Sequence, residues 1–138
     1  MKTSVLPECV LPILIACMTI SCSSRDDSVP TTTKFPPGII IYDPKEGSII
    51  QGKIEINADV VYYDLQTFVS EVSAEITRDS DKAVVFEDGP YMLNQNFYSY
   101  HGTYTPTGLT GSTPMTLVIT GKGSGKTATK SVKFTAKP

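Results

Sequence analysis

From Ile39 onward the apolar residues of this chain recur at every second position, a period that predicts strands rather than helices. Ile39 to Tyr42 forms a first short strand, closed by the turn chemistry of Asp43-Pro44-Lys45-Glu46-Gly47-Ser48, and Ile49-Ile50 then leads to Gly52. Between Lys53 and Tyr62 the alternation is clean, with Ile54, Ile56, Ala58 and Val60 on one face and Lys53, Glu55, Asn57 and Asp59 on the other. One face belongs to a core and the other to water. Phe68 to Thr77 repeats the pattern, setting Phe68, Val72, Ala74 and Ile76 against Glu71, Ser73 and Glu75. Arg78 to Lys82 supplies a turn, Ala83 to Glu87 a short strand that pairs back as a hairpin, and Asp88-Gly89-Pro90 its stop. Tyr91 to Gln95 reads as a crossover between sheets. Phe97 to Thr105, Met115 to Lys122 and Thr127 to Ala136 complete about seven strands, an all-β pattern pointing to a sandwich or barrel.

The order of the punctuation narrows this. Pro44-x-x-Gly47-Ser48-x-x-x-Gly52-x-Ile54-x-Ile56-x-Ala58 resembles the opening of the bacterial Ig-like domains found on surface and carbohydrate-active proteins. Tyr104-x-x-x-Gly108-Leu109 and Thr116-Leu117-Val118-Ile119 running into Gly121-Lys122-Gly123-Ser124-Gly125 is similar to the closing hairpin of that family. The resemblance covers residues 39–138 and implies an Ig-like or fibronectin III-like β-sandwich of about seven strands. It implies no single activity, because such folds host many. The final turn lacks the acidic residues with which the family often holds calcium.

Ahead of the alternating region the pattern is different. Cys9 to Ile20 is apolar apart from Thr19, about the length of a secretory h-region and short of the ~20 residues that span a bilayer; Pro12 argues against a buried core helix. The run closes on Thr19-Ile20-Ser21-Cys22, followed by Ser-Ser-Arg-Asp-Asp, which resembles the lipobox and tether of Bacteroidota-type lipoproteins. Cys22 is the expected lipidation site. Cys17, in Leu14-Ile15-Ala16-Cys17, fits the consensus better and is the alternative. The expected organisation is a signal peptide over 1–21, a Ser/Thr/Pro-rich tether over 22–38 and the sandwich over 39–138.

Composition limits the chemistry. The net charge is −2, so no global basic field would gather nucleic acid, and no nucleic-acid partner is expected. The three cysteines, Cys9, Cys17 and Cys22, all precede the sandwich, which must be held together by packing alone. His101 is the only histidine and strand alternation places it with Ser99 and Thr103, with no Gly-x-Ser-x-Gly elbow nearby; no catalytic set and no cofactor are expected. Gly121-Lys-Gly-Ser-Gly-Lys126-Thr127 has three residues between Gly121 and Gly125 where a phosphate loop needs four, and it joins two strand patterns; it reads as a hairpin turn. Residues 38–88 hold eleven acids against four bases, whereas 89–138 hold five lysines and no acid. Asp79 and Asp81 with Glu87 or Asp88 would hold calcium only if their loops converged, so no metal site is assigned. The lysines read as guards of the terminal hairpin against edge pairing.

The most suggestive set is aromatic. Tyr98, Tyr100 and Tyr104 share one face of a strand, with Gly102 between them, and form a candidate ligand face for glycan or peptide. The expected function is that of a lipid-anchored, exported Ig-like binding or accessory module without catalytic activity. The alternative is a carbohydrate-binding component of a glycan-uptake system using those tyrosines. Expected partners are the membrane, through the lipid, and a protein or glycan. The expected location is the outer membrane, facing the cell surface or the periplasm.

Overall fold

A computed structural model describes residues 35–138 apart from Leu65. The predicted signal peptide, Cys17, Cys22 and all but the last residues of the predicted tether lie outside the described residues. Among the described residues there are eight strands and no helix: β1 (Gly38–Asp43), β2 (Ile49–Gln51), β3 (Ile54–Val61), β4 (Val69–Arg78), β5 (Val84–Gln95), β6 (Phe97–Tyr104), β7 (Thr113–Gly123) and β8 (Lys126–Lys137). They form two sheets, ordered β1-β3-β6 and β2-β8-β7-β4-β5. This is an Ig-like, fibronectin III-like sandwich. The eighth strand arises because the first one divides between the sheets: β1 runs antiparallel to β3, while β2 runs parallel to β8 through Ile49↔Thr135.

The core lies where the alternation put it. Ile54, Ile56, Ala58 and Val60 of β3 face Val72, Ala74 and Ile76 of β4 and Met115, Leu117 and Ile119 of β7, all buried. Burying such side chains contributes about 1.5–3 kcal/mol each, the main favourable term for a sandwich whose residues include no cysteine.

Two readings change in β4 and β5. Phe68 precedes β4 and is exposed, while Val69 takes the buried position. The β4–β5 ladder slips between Val69 and Glu71, and such an irregularity shifts the alternation that a strictly periodic reading carries through. Asp88-Gly89-Pro90 does not stop β5 either. Val72 pairs with Tyr91 and Ala74 with Asp88, so Gly89 and Pro90 oppose the single residue Ser73. The strand absorbs them as a bulge, and Tyr91–Gln95 continues it, leaving Asn96 alone between β5 in one sheet and β6 in the other.

Candidate functional site

Strand β6 is an edge of the three-stranded sheet, and its two faces do different things. Tyr98, Tyr100 and Tyr104 do share a face, but it is the inner one. Their register partners are Val60, Ala58 and Ile54, the core side of β3. Tyr100 is fully buried, and Tyr98 and Tyr104 pack against the core, which corrects the expectation of an exposed tyrosine platform. Gly102 leaves no gap for a ligand, because the ring of Tyr100 itself lies over it; a Cβ there would sit 2.9 Å from Tyr100 Cζ.

A buried phenol needs a partner, and β5 provides one. Tyr100 Oη donates to Asp88 Oδ2 at 2.6 Å and Tyr91 Oη to Asp88 Oδ1 at 2.5 Å. In an unbroken strand residues 88 and 91 would point to opposite faces; the Gly89-Pro90 bulge turns both inward. The donors hold the Asp88 carboxyl below the usual carboxylate range, Tyr100 foremost and Tyr91 next. Burial, then the bond to Asp88, pushes the Tyr100 phenol far up. Tyr91 lies 6.3 Å from the Tyr100 ring and 6.4 Å from Tyr98, and Phe86 lies 5.5 Å from Tyr104, so aromatic rings close the side of the sandwich between β5 and β6. The seam is structural.

The outer face of the same strands carries the polar groups. Asp59 takes Ser99 Oγ on one oxygen at 2.6 Å and Tyr42 Oη on the other at 2.8 Å. That bond raises the Tyr42 phenol above its usual range. One row along, Asn57 Nδ2 donates to Asp43 Oδ2 at 3.2 Å, and Asn57 Oδ1 lies 2.7 Å from His101 Nδ1. With Nδ2 given to Asp43, Asn57 presents Oδ1 to the imidazole. The amide oxygen can only accept, so His101 Nδ1 is the donor in that contact.

Two shallow depressions adjoin this network and share Glu55. One, of about 210 Å³, is lined by Glu55, Asn57, His101, Gly102 and Thr103. The other, of about 410 Å³, is lined by residues that include Asp43, Lys45, Ser48, Lys53 and Glu55. Ser48 Oγ is buried there without a hydrogen-bond partner among the described residues. Chemically this face can accept and donate hydrogen bonds from side chains that already hold one another in place. Ser99 spends its proton on Asp59 and His101 meets Asn57, so the two are not joined as nucleophile and base.

The glycine-rich motif is the β7–β8 turn. Ser124 and Gly125 both have positive φ, as a two-residue hairpin loop requires, and Gly123 pairs with Lys126. Its glycines also serve packing. A Cβ on Gly121 would lie 2.7 Å from Val60 Cγ1 and one on Gly123 2.5 Å from Tyr62 Cε2, so bare backbone lets the other sheet approach. Tyr62 Oη closes the contact by donating to Gly123 O at 2.8 Å.

Asp79, Asp81 and Asp88 go separate ways: Asp79 accepts from Thr116 at 2.7 Å, Asp81 pairs with Arg78 at 2.9 Å, and Asp88 serves the tyrosines. Among the described residues, no three acids, histidines or cysteines converge as metal ligands. The lysines of β8 have an edge to guard. β2 covers only Thr135 to Lys137, and Lys130 is exposed although its register partner is the core residue Ile119. Charge in that phase disfavours pairing by another strand.

No family model matches the chain, and no curated protein matches it. Among solved structures it is similar to an engineered protein (TM-score 0.53, 18% identity) and to the endo-β-1,4-mannanase of Thermotoga petrophila (TM-score 0.51, 20% identity), each over 74% of this chain. It spans 20% of the length of either. The fibronectin(III)-like modules of Clostridium thermocellum CbhA align over 75% of this chain and 48% of theirs, with a TM-score of 0.45 and 17% identity. What the two-sheet topology defines is a fold class, the Ig-like or fibronectin III-like sandwich.

Proposed function

We propose that this chain is an exported, lipid-anchored Ig-like module without catalytic activity of its own, held to the outer membrane through Cys22, or alternatively Cys17, and working by binding at the outer face of β1-β3-β6. The observation that carries the binding face is the pair of linked rows, Asp43–Asn57–His101 and Tyr42–Asp59–Ser99. Groups already fixed by one another lose little freedom when a ligand arrives, which favours recognition. The anchor rests on the apolar run and the Ser-Cys junction at Cys22. A thioether-linked diacylglycerol with an acylated amino terminus would bury several chains at ~0.8 kcal/mol per CH₂, a lasting attachment.

Glycan capture is the second reading, now on the outer face rather than on Tyr98, Tyr100 and Tyr104. Exposed Tyr42 beside Asp59, Asn57 and His101 combines a ring for stacking with planar hydrogen-bonding groups. Two measurements test the proposal. Membrane partition should be lost in Cys22→Ser and kept in Cys17→Ser; the opposite result moves the anchor to Cys17, and retention in both refutes it. Calorimetric titration with soluble polysaccharides, comparing the wild type with Asn57→Ala, should separate glycan capture from protein binding. Heat that vanishes in the variant supports glycan capture, and no heat from either protein rejects it.

A further inference from the structure

The polar rows do not run the whole length of the outer face. At the end where the chain joins the domain, the outward positions of β1-β3-β6 become apolar. Val61 and Phe97 are register partners facing outward, Gly38 pairs with Val61 from the other side, and Ile40 stands one row in. The ring of Tyr63 lies over Gly38, where a Cβ would be 3.3 Å from Tyr63 Cε2. Phe35, just before β1, and Tyr63, just after β3, are 72% and 82% exposed, and Phe97 at the start of β6 is 48% exposed, so three exposed rings gather at this end. Phe35, Tyr62 and Tyr63 also line a cleft of about 470 Å³. Asp64, which also lines it, accepts from Gln66 N at 3.0 Å and Thr67 Oγ1 at 2.7 Å.

We infer that this aromatic end is a membrane-contact surface, seated against the lipid headgroups of the bilayer that holds the anchor. The inference rests on the lipid-anchor reading. Cys22 lies thirteen residues before Phe35, and thirteen residues reach at most about 45 Å. The lipid therefore keeps the bilayer within reach of the end of the domain at which the chain joins it, and that is the end bearing the aromatic side chains. Aromatic rings with a polar tip favour the headgroup level. Seated this way, the domain would hold its polar rows away from the lipid, available to a ligand.

The chain has no tryptophan, so Tyr63→Trp in the lipidated protein supplies a single reporter. In phosphatidylcholine vesicles with brominated acyl chains we expect a blue-shifted emission and roughly twofold or greater quenching, largely removed by Phe35→Ser with Phe97→Ser. Protein that sediments with the vesicles while Trp emission stays as in water overturns the contact and leaves the anchor standing. Quenching that survives the double serine variant overturns the aromatic end as its cause. Shielding that rises with protein density but is untouched by bromine assigns the surface to a second copy and overturns the inference. Failure to sediment overturns the anchor, and this inference with it.

Discussion

The two faces of β6 have the same backbone and opposite tasks. Inward, Tyr98, Tyr100 and Tyr104 join Tyr91 and Phe86 in a seam whose key polar atoms satisfy each other through Asp88. Outward, Ser99 and His101 are tied to Asp59 and Asn57, and the His101 ring is exposed to solvent. A hydrogen bond that closes on itself inside a sandwich specifies structure. One exposed to water can specify a ligand. Large aromatic side chains alone do not mark a binding face.

This contrast is open to attack by substitution, beginning where the effect is greatest. Tyr100→Ala empties a fully buried ring site and takes from Asp88 its foremost donor; a loss of about 3–5 kcal/mol in urea unfolding is expected. A loss below about 1 kcal/mol would mean the ring is not core. Tyr100→Phe keeps the ring and deletes the hydroxyl, costing about 1.5–3 kcal/mol at neutral pH because the acceptor is charged.

The pH dependence of that second variant sharpens the point. Since the folded state holds the Asp88 carboxyl low, its contribution is present above the ordinary aspartate value of about 3.9 and is lost as pH falls through the lower folded value. Asp81, held low by the Arg78 hydrogen bond, adds a similar acid loss to both proteins. The gap between wild type and Tyr100→Phe should therefore be widest above about pH 4 and narrow below it. A gap independent of pH would detach Asp88 from Tyr100. The smallest stability effect belongs to the outer face. His101→Ala or Asn57→Ala should change unfolding free energy by no more than about 0.5 kcal/mol, and any ligand found for the face should bind these variants more weakly. A large loss of stability would make the outer rows structural too.

How much of this was legible in the sequence depended on whether one period explained each strand. β3 and β7 alternate without interruption, and their buried faces follow residue by residue from the pattern. The first strand's division between sheets was not legible, because three residues of β2 carry too little pattern to show parallel pairing. Phe68 and the Asp88-Gly89-Pro90 segment were misread for a related reason: bulges shift the phase, and a Gly-Pro pair looks the same in a bulge as in a stop. On β6 the alternation separated the two faces correctly and the tyrosine hydroxyls obscured which was inner. The signal was present in β3, whose core residues Ile54, Ala58 and Val60 stand opposite Tyr104, Tyr100 and Tyr98 once the strands are paired. The Asp43–Asn57–His101 row joins residues far apart in the chain and emerges only from that register.

Tyrosine nitration of the folded protein, read by mass spectrometry at each ring, tests the division between the faces most directly. Tyr63 and Tyr42, exposed on the outer side, should be modified first, and Tyr100 only when the protein unfolds. Nitration of Tyr100 in the folded protein at the rate of Tyr63 would put the tyrosine face outside and contradict the account.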